Sequence, residues 1–300
     1  TIVNDDVALS FIHDAQGPGA ATPIPGATVS VEGVVIGDFQ AATQTKGFFL
    51  QEEDADHDAD PLTSEGVFVF CNSCPTAVAE GQRVRVTGPV SEFFGATEIT
   101  ASTAGSVVVT DAGNHLAEVT PAAIDLPVVG LVDDFYEPRE GMKVTFVDTL
   151  TVSEYFELAR FGQIELFEGG RPRQFTETAP PSVAGYTAHL AALATRRVIL
   201  DDDDNGQNVS LNDPNGSQFI YHPTANGGFS VGTQGTDFFR GGDLVSGLTG
   251  VLDWSFAGAS GTDAWRIRPT AANPATFTVA NPRPATPPAV GGAIRAVGMN

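Results

Sequence analysis

One pattern constrains the fold of this chain more than any other: a glycine followed at fixed spacing by alternating apolar residues, at four places. Gly26-x-x-Val29-x-Val31-x-Gly33 is matched by Gly81-x-x-Val84-x-Val86-x-Gly88. Gly141-x-x-Val144-x-Phe146 repeats the front half, and Gly242-x-x-Val245 followed by Leu248-Thr249-Gly250 repeats it with one residue inserted. A leading glycine gives the turn a permissive backbone, and the alternating residues face a core. The later glycine marks where a strongly bent strand has no room for a side chain.

Period-two alternation also dominates elsewhere, as in "GVFVF" (66–70) and "KVTFVDTLTV" (143–152), and it predicts strands. Helical periodicity is confined to the stretch around Tyr186–Thr195. In each half an opening strand pair is followed by an acidic loop, a Gly-x-x-Val strand and an aromatic stretch. The stretches are "SEFFGATEIT" (91–100) and "LDWSFAGASGTDAWRIRP" (252–269). Internal similarity over this length predicts two related units. The fold expected is therefore all-β: two tandem OB-fold-like β-barrels, residues 1–115 and 116–279, with a minor helix in the second. A Pro-rich linker, 280–293, and the start of a further strand, 294–300, follow.

Charge limits the partners. Thirty-seven Asp and Glu against 15 Lys and Arg give a net charge of −22. Such a chain repels a phosphate backbone at long range unless cations intervene. No apolar run approaches the ~18 residues of a membrane span. The two cysteines, Cys71 and Cys74, lack a second ligand pair for zinc and a following His for haem attachment. They predict a short disulfide at a strand end, consistent with an oxidising, extracellular compartment. Neither a nucleophile elbow nor a phosphate-binding glycine loop occurs.

Two acidic loops have calcium-loop spacing. Asp54, Asp56, Asp58 and Glu65 stand at positions one, three, five and twelve, with Asp60 between. Ala59 replaces the glycine expected at position six. In the second loop Asp201, Asp203, Asn205 and Gly206 match positions one, three, five and six, but Asn212 stands at twelve. Hard oxygen ligands suit Ca²⁺; a solvated acidic loop is the other reading of both. Six carboxylates within Glu52–Asp60 repel one another without a cation, which favours the metal.

OB-folds bind single strands on an aromatic and basic face. The candidates are Lys46, Phe48, Arg83 and Arg85 in the first barrel and Arg160, Arg171 and Arg266 in the second. Phe48 and Phe49 are adjacent, so in a strand one of the two faces the core. Arg83 and Arg85 alternate with Val84 and Val86 and mark an outward face.

The stretches "GVVIGDF", "GFFLQ", "TSEG", "VRVTG", "EGMKV", "RFGQI" and "GLTGVL" together resemble the region ahead of the catalytic domain in bacterial extracellular endonucleases of the ExeM/NucH type. The resemblance covers nearly the whole chain. It implies an OB-fold region, secretion, and a DNase I-like domain to follow in cis. The final "AIRAVGMN" resembles that domain's first strand, with Asn300 in the place of the first active-site Asn. Catalytic residues, and the Mg²⁺ or Mn²⁺ they use, would then lie beyond this sequence, so the 300 residues alone are expected to be inactive. On this reading the chain is a non-catalytic accessory region that positions the nuclease and holds DNA with the help of Ca²⁺. A structural alternative is a subunit of a self-assembling extracellular filament or matrix, built through exposed strand edges.

Overall fold

The computed structural model describes residues 7–42, 44–202, 232–256, 263–286 and 291. Two curled sheets account for most of them. In the first, β1 (Thr28–Phe39), β2 (Gly47–Gln51), β3 (Gly66–Phe70), β4 (Arg83–Phe93) and β5 (Ala96–Thr100) pair in the order β1-β2-β3-β5-β4, and β4 returns to β1 to close a barrel. Among these five strands every pairing is antiparallel except β3 with β5. That order, with its single parallel pair, is an OB-type barrel.

The second sheet repeats the order. Its barrel strands are β6 (Lys143–Phe146), β7 (Thr149–Glu154), β8 (Ile164–Phe167), β9 (Arg197–Leu200), β10 (Leu244–Ser246), β11 (Thr249–Phe256) and β12 (Asp263–Arg268), with the short strands Ala122–Ile124 and Phe277–Thr278 at the sheet's edges. β6 and β7 are halves of one broken strand, as are β10 and β11, and β9 with β12 is the parallel pair among the barrel strands. The chain is therefore a tandem of OB-type β-barrel units with few helices. No described helix is long and apolar enough to cross a membrane.

The glycine repeat explains how these sheets bend. All four leading glycines have left-handed backbone: φ is 81° at Gly26, 91° at Gly81, 70° at Gly141 and 96° at Gly242. Each turns the chain into a strand where a Cβ would be strained. The later glycines sit where strands cross most closely. A Cβ on Gly88 would run into the Thr100 carbonyl, and one on Gly250 into that of Arg268. Between them the alternating residues Val29, Val31, Val84 and Val86 point into the first core, with Phe48, Leu50, Val67 and Val69 opposite. Burying each such side chain contributes about 1.5–3 kcal/mol. The short helix α1 (Ile12–Gln16) plugs this barrel with Ile12 and Ala15.

The predicted helix is present as α2 (Val183–Ala194), started by Ser182, whose hydroxyl accepts from Gly185 N–H at 3.1 Å. It has no buried residue and lies on the connection from β8 to β9. Cys71 and Cys74 form a disulfide just beyond β3.

The barrels dock through backbone and buried polar groups. Gly66 packs directly on the Gly141 main chain. Ser64 Oγ donates to the Glu140 carbonyl at 2.6 Å, Thr97 N–H to Glu140 Oε1 at 2.7 Å, and Lys143 N–H to Gln51 Oε1 at 2.8 Å. Val251 of the second barrel joins Val34, Ile36, Phe39 and Phe49 of the first in one apolar cluster. Glu140 is 4% exposed, and its Oε2 has no hydrogen-bond partner. Burial, then the neighbouring Glu137, raises its carboxyl well above the ordinary range. Burial, with Glu92 and Asp133, lifts Glu137 to about 7.

Two outcomes follow. Gly88→Ala forces a Cβ into a carbonyl and is expected to lower stability by about 2–3 kcal/mol in denaturant unfolding. Gly19→Ala, which meets nothing within 4 Å, should stay within about 0.5 kcal/mol of the parent. For the junction, a carboxyl with a raised folded-state pKa binds its proton more tightly when folded. Its stabilisation is complete below the unfolded value, near 4.5, and is lost as pH rises through the folded one, about 7 for Glu137. Melting temperature should therefore fall across pH 4.5–7 and beyond, and Glu140→Gln should flatten that slope; an unchanged slope in the variant refutes the assignment.

Candidate functional site: an aromatic cleft between the barrels

Alternation in β2 and β3 sorts their side chains onto two faces. Phe48, Leu50, Val67 and Val69 point inward, so Phe49, Phe68 and Phe70 point outward. The β4–β5 hairpin adds Phe93 and Phe94, and β11 of the second barrel adds Trp254 and Phe256. Together they line a cavity of about 280 Å³, large enough for one or two planar rings. It occupies the β2–β3 face and the loop between strands four and five, where OB-folds take oligonucleotides and oligosaccharides. The Trp254 indole N–H donates to the Phe94 carbonyl at 3.0 Å and so locks the second barrel's contribution in place.

The hairpin tip has an unusual residue. Phe93 pairs with Ala96, which leaves the two-residue loop Phe94-Gly95. Both have left-handed backbone, φ 53° and 91°, as in the type I′ turns that favour Asn-Gly. A bulky aromatic there carries strain of order 1 kcal/mol. Phe94 is nevertheless 75% exposed, edge-on to Phe93 at a centroid distance of 4.8 Å. A ring held out to solvent at a backbone cost is a feature of a binding surface.

Among the described residues, no lysine or arginine lines the cleft. Its polar side chains include Glu98, Asp253 and Asp263, with the hydroxyls of Thr45 and Ser255. Burial raises the Glu98 carboxyl, against a lowering hydrogen bond from Ser91. The cleft can therefore stack a ring and accept hydrogen bonds from it, but it offers no cation to a phosphate.

The cations singled out in the sequence lie elsewhere. Phe48 is fully buried in the first core, because it is Phe49 that takes the outward position of the pair. Arg266 is 2% exposed and bonded to Asp201 and to the Ser255 and Phe256 carbonyls, so it serves the second barrel's interior. Arg83 pairs with Glu53 and Glu118, and Arg85 with Glu32 at 3.0 Å. Lys46 has left-handed backbone, φ 62°, and its carbonyl accepts from Cys71 and Asn72 N–H. Arg160 lies over the Phe161 ring at 4.7 Å, and Arg171 is exposed on the second barrel.

The acidic loops also differ from their spacing. Asp54 accepts from Thr120, at 2.6 Å from its hydroxyl and 2.8 Å from its N–H; Asp58 accepts from Thr63 Oγ1 and Asp60 N–H; Asp60 accepts from Leu62 N–H. Among the described residues, Asp54, Asp56, Asp58 and Asp60 do not gather into a ligand group. Asp58 and Asp60 thus cap local turns, while Asp54 ties the loop to the distant Thr120. Glu65 turns inward, to Glu52 and His13. In the second loop Asp201 is buried against Arg266 and Arg268, which cancels its charge and removes it as a ligand. Burial opposes the Arg268 charge, but Asp201 and Asp253 more than offset this and raise its pKa. Asp203, Asn205 and Asn300 lie outside the described residues.

The sequence signal for the cleft was the recurrence of adjacent aromatics in strands. Trp254 and Phe256 could be joined to it only by the docking of the barrels. Compared with known proteins, the chain matches no family model and no curated sequence. Fold and cleft define a tandem OB-type protein with an aromatic cleft between its barrels.

Phe94→Asn should separate turn stability from binding. It is expected to raise stability by about 1 kcal/mol, since Asn-Gly suits the turn, while weakening any ligand that stacks in the cleft. Equilibrium unfolding and ligand titration of the same variant check both halves.

Proposed function

We propose that this chain is the non-catalytic accessory region of a secreted bacterial nuclease, positioning a DNase I-like domain that follows it and holding a single strand of DNA by its bases. The strained, exposed Phe94 at the mouth of the interbarrel cleft carries the reading: base–aromatic stacking needs rings presented to solvent, and every base has a face to stack. The resemblance in "GFFLQ", "VRVTG" and "GLTGVL" supplies the nuclease context. With no cation in the lining, affinity comes from stacking and the phosphates stay in solvent, screened by divalent ions. Double-stranded DNA, whose bases are already stacked, is not expected to bind.

The acidic lining favours one rival ligand. Glu98, Asp253 and Asp263 would accept hydrogen bonds from sugar hydroxyls, with the rings stacked on the same aromatics.

Quenching of Trp254 fluorescence by short oligodeoxynucleotides, with and without Ca²⁺ or Mg²⁺, tests the proposal. Binding should be weak, shallow in its salt dependence, and reduced about tenfold by Phe94→Ala, since a stacked base contributes ~1–3 kcal/mol. Absence of binding under all cation conditions removes the DNA role; binding of neutral oligosaccharides in its place assigns the cleft to a glycan.

A further inference from the structure

Away from the cleft, at the other end of the acidic loop, three metal-ligating side chains meet. Glu52 follows β2 directly, Glu65 precedes β3 directly, and His13 comes from α1. Glu52 Oε2 and Glu65 Oε2 both approach His13 Nδ1, at 2.7 and 3.0 Å, and one ligand atom from each residue lies within 4.8 Å of the other two. We propose that His13, Glu52 and Glu65 form a binding site for one divalent cation of the zinc class, which pins the N-terminal segment to the two strands that flank the acidic loop.

The arrangement is more than an accumulation of acidic residues. The second oxygen of each carboxylate is already held by a backbone amide: Ile12 N–H donates to Glu52 Oε1, and Asp58 N–H donates to Glu65 Oε1 at 3.1 Å. These amides lie outside the set of ligands and fix which oxygen of each carboxylate turns inward, the service that outer partners perform at metal sites. The imidazole is oriented from its other side, stacked on Phe11 at a centroid distance of 5.0 Å. Both carboxylates are buried, Glu52 at 1% and Glu65 at 6% exposure. Among the described residues, their ion-pair partner is this one imidazole. Two buried carboxylates turned toward a single imidazole repel one another unless a proton or a cation stands between them, and a divalent cation fills that place.

Donor chemistry and size select the ion. One imidazole nitrogen and two carboxylate oxygens suit zinc and its neighbours, with bonds of about 2.0–2.2 Å. Tetrahedral bonds of that length separate ligand atoms by roughly 3.4 Å, so the three residues would part by about half an ångström from their present spacing. Calcium takes six to eight oxygens at longer distances. Three protein ligands, one of them nitrogen, do not provide this; Asp58 and Asp60 are committed to turns and Asp54 to Thr120. With three protein ligands, water completes the sphere; His13, at 11% side-chain exposure, marks the side open to solvent.

The test is calorimetric titration of chelator-stripped chain with Zn²⁺, Co²⁺ and Ca²⁺. One equivalent of Zn²⁺ or Co²⁺ should bind, with a four-coordinate visible spectrum for Co²⁺ and a higher melting temperature. His13→Gln and Glu65→Gln should each weaken binding at least tenfold, whereas Asp56→Asn with Asp60→Asn should leave it unchanged. If a variant fails to fold, paramagnetic broadening of the His13 ring signals by Co²⁺ in the unaltered chain reads the same site. Failure of Zn²⁺ and Co²⁺ to bind, binding that spares the His13 signals, or Ca²⁺ binding abolished by the Asp56 and Asp60 changes would each overturn the proposal. None of these readouts involves DNA or the aromatic cleft.

Discussion

The contact on which the rest of the structure depends is the close backbone approach between the barrels at Gly66 and Gly141. A side chain on Gly66 would occupy the Gly141 main chain, so only glycine allows the start of β3 to lie against the turn that leads into β6. That approach leaves little freedom for polar groups, and each that is trapped there is answered by a specific partner: Ser64 and Thr97 on Glu140, and Lys143 N–H on Gln51. Hydrogen bonds in a low-dielectric junction are strong when made and costly when lost. They fix the relative register of the two barrels as firmly as the apolar cluster around Val251 does.

The cleft is a product of that register. Phe49, Phe68 and Phe70 would make a flat aromatic patch on the first barrel alone. Trp254 and Phe256 turn it into a cavity because β11 is brought alongside the β4–β5 hairpin. The same docking buries Glu140 and lifts Glu137 into the physiological range, so the geometry of the cleft and the protonation of its support share one cause. At the opposite end of the first barrel, the acidic loop divides its work. Asp58 and Asp60 cap turns, Asp54 ties the loop to Thr120, and the flanking glutamates go inward to His13. Loop spacing alone did not distinguish these, because a run of aspartates at alternate positions suits turn-capping as well as metal ligation.

Much of the fold was legible. The four glycines at the turn and the later glycines at strand crossings correspond to left-handed φ and to close backbone contacts. Strand alternation identified the core valines, and helical periodicity around Tyr186–Thr195 marked α2. The site was less so. The sequence showed that one of Phe48 and Phe49 faces inward, but which one depends on the register of β2, and a one-residue choice exchanges core for surface. Arg266 and Asp201 read as an outward cation and a loop ligand; they are partners across the parallel β9–β12 pairing, 65 residues apart in sequence.

Local chemistry therefore settled what each segment becomes. Glycine spacing, alternation of apolar residues and the disulfide-forming pair Cys71 and Cys74 act through backbone sterics and short-range burial, which a sequence states directly. Tertiary structure alone decided which charges cancel, which aromatics reach solvent, and which carboxylates meet. Those outcomes depend on distances between residues far apart in the chain, set by barrel closure and by the docking at Gly66 and Gly141.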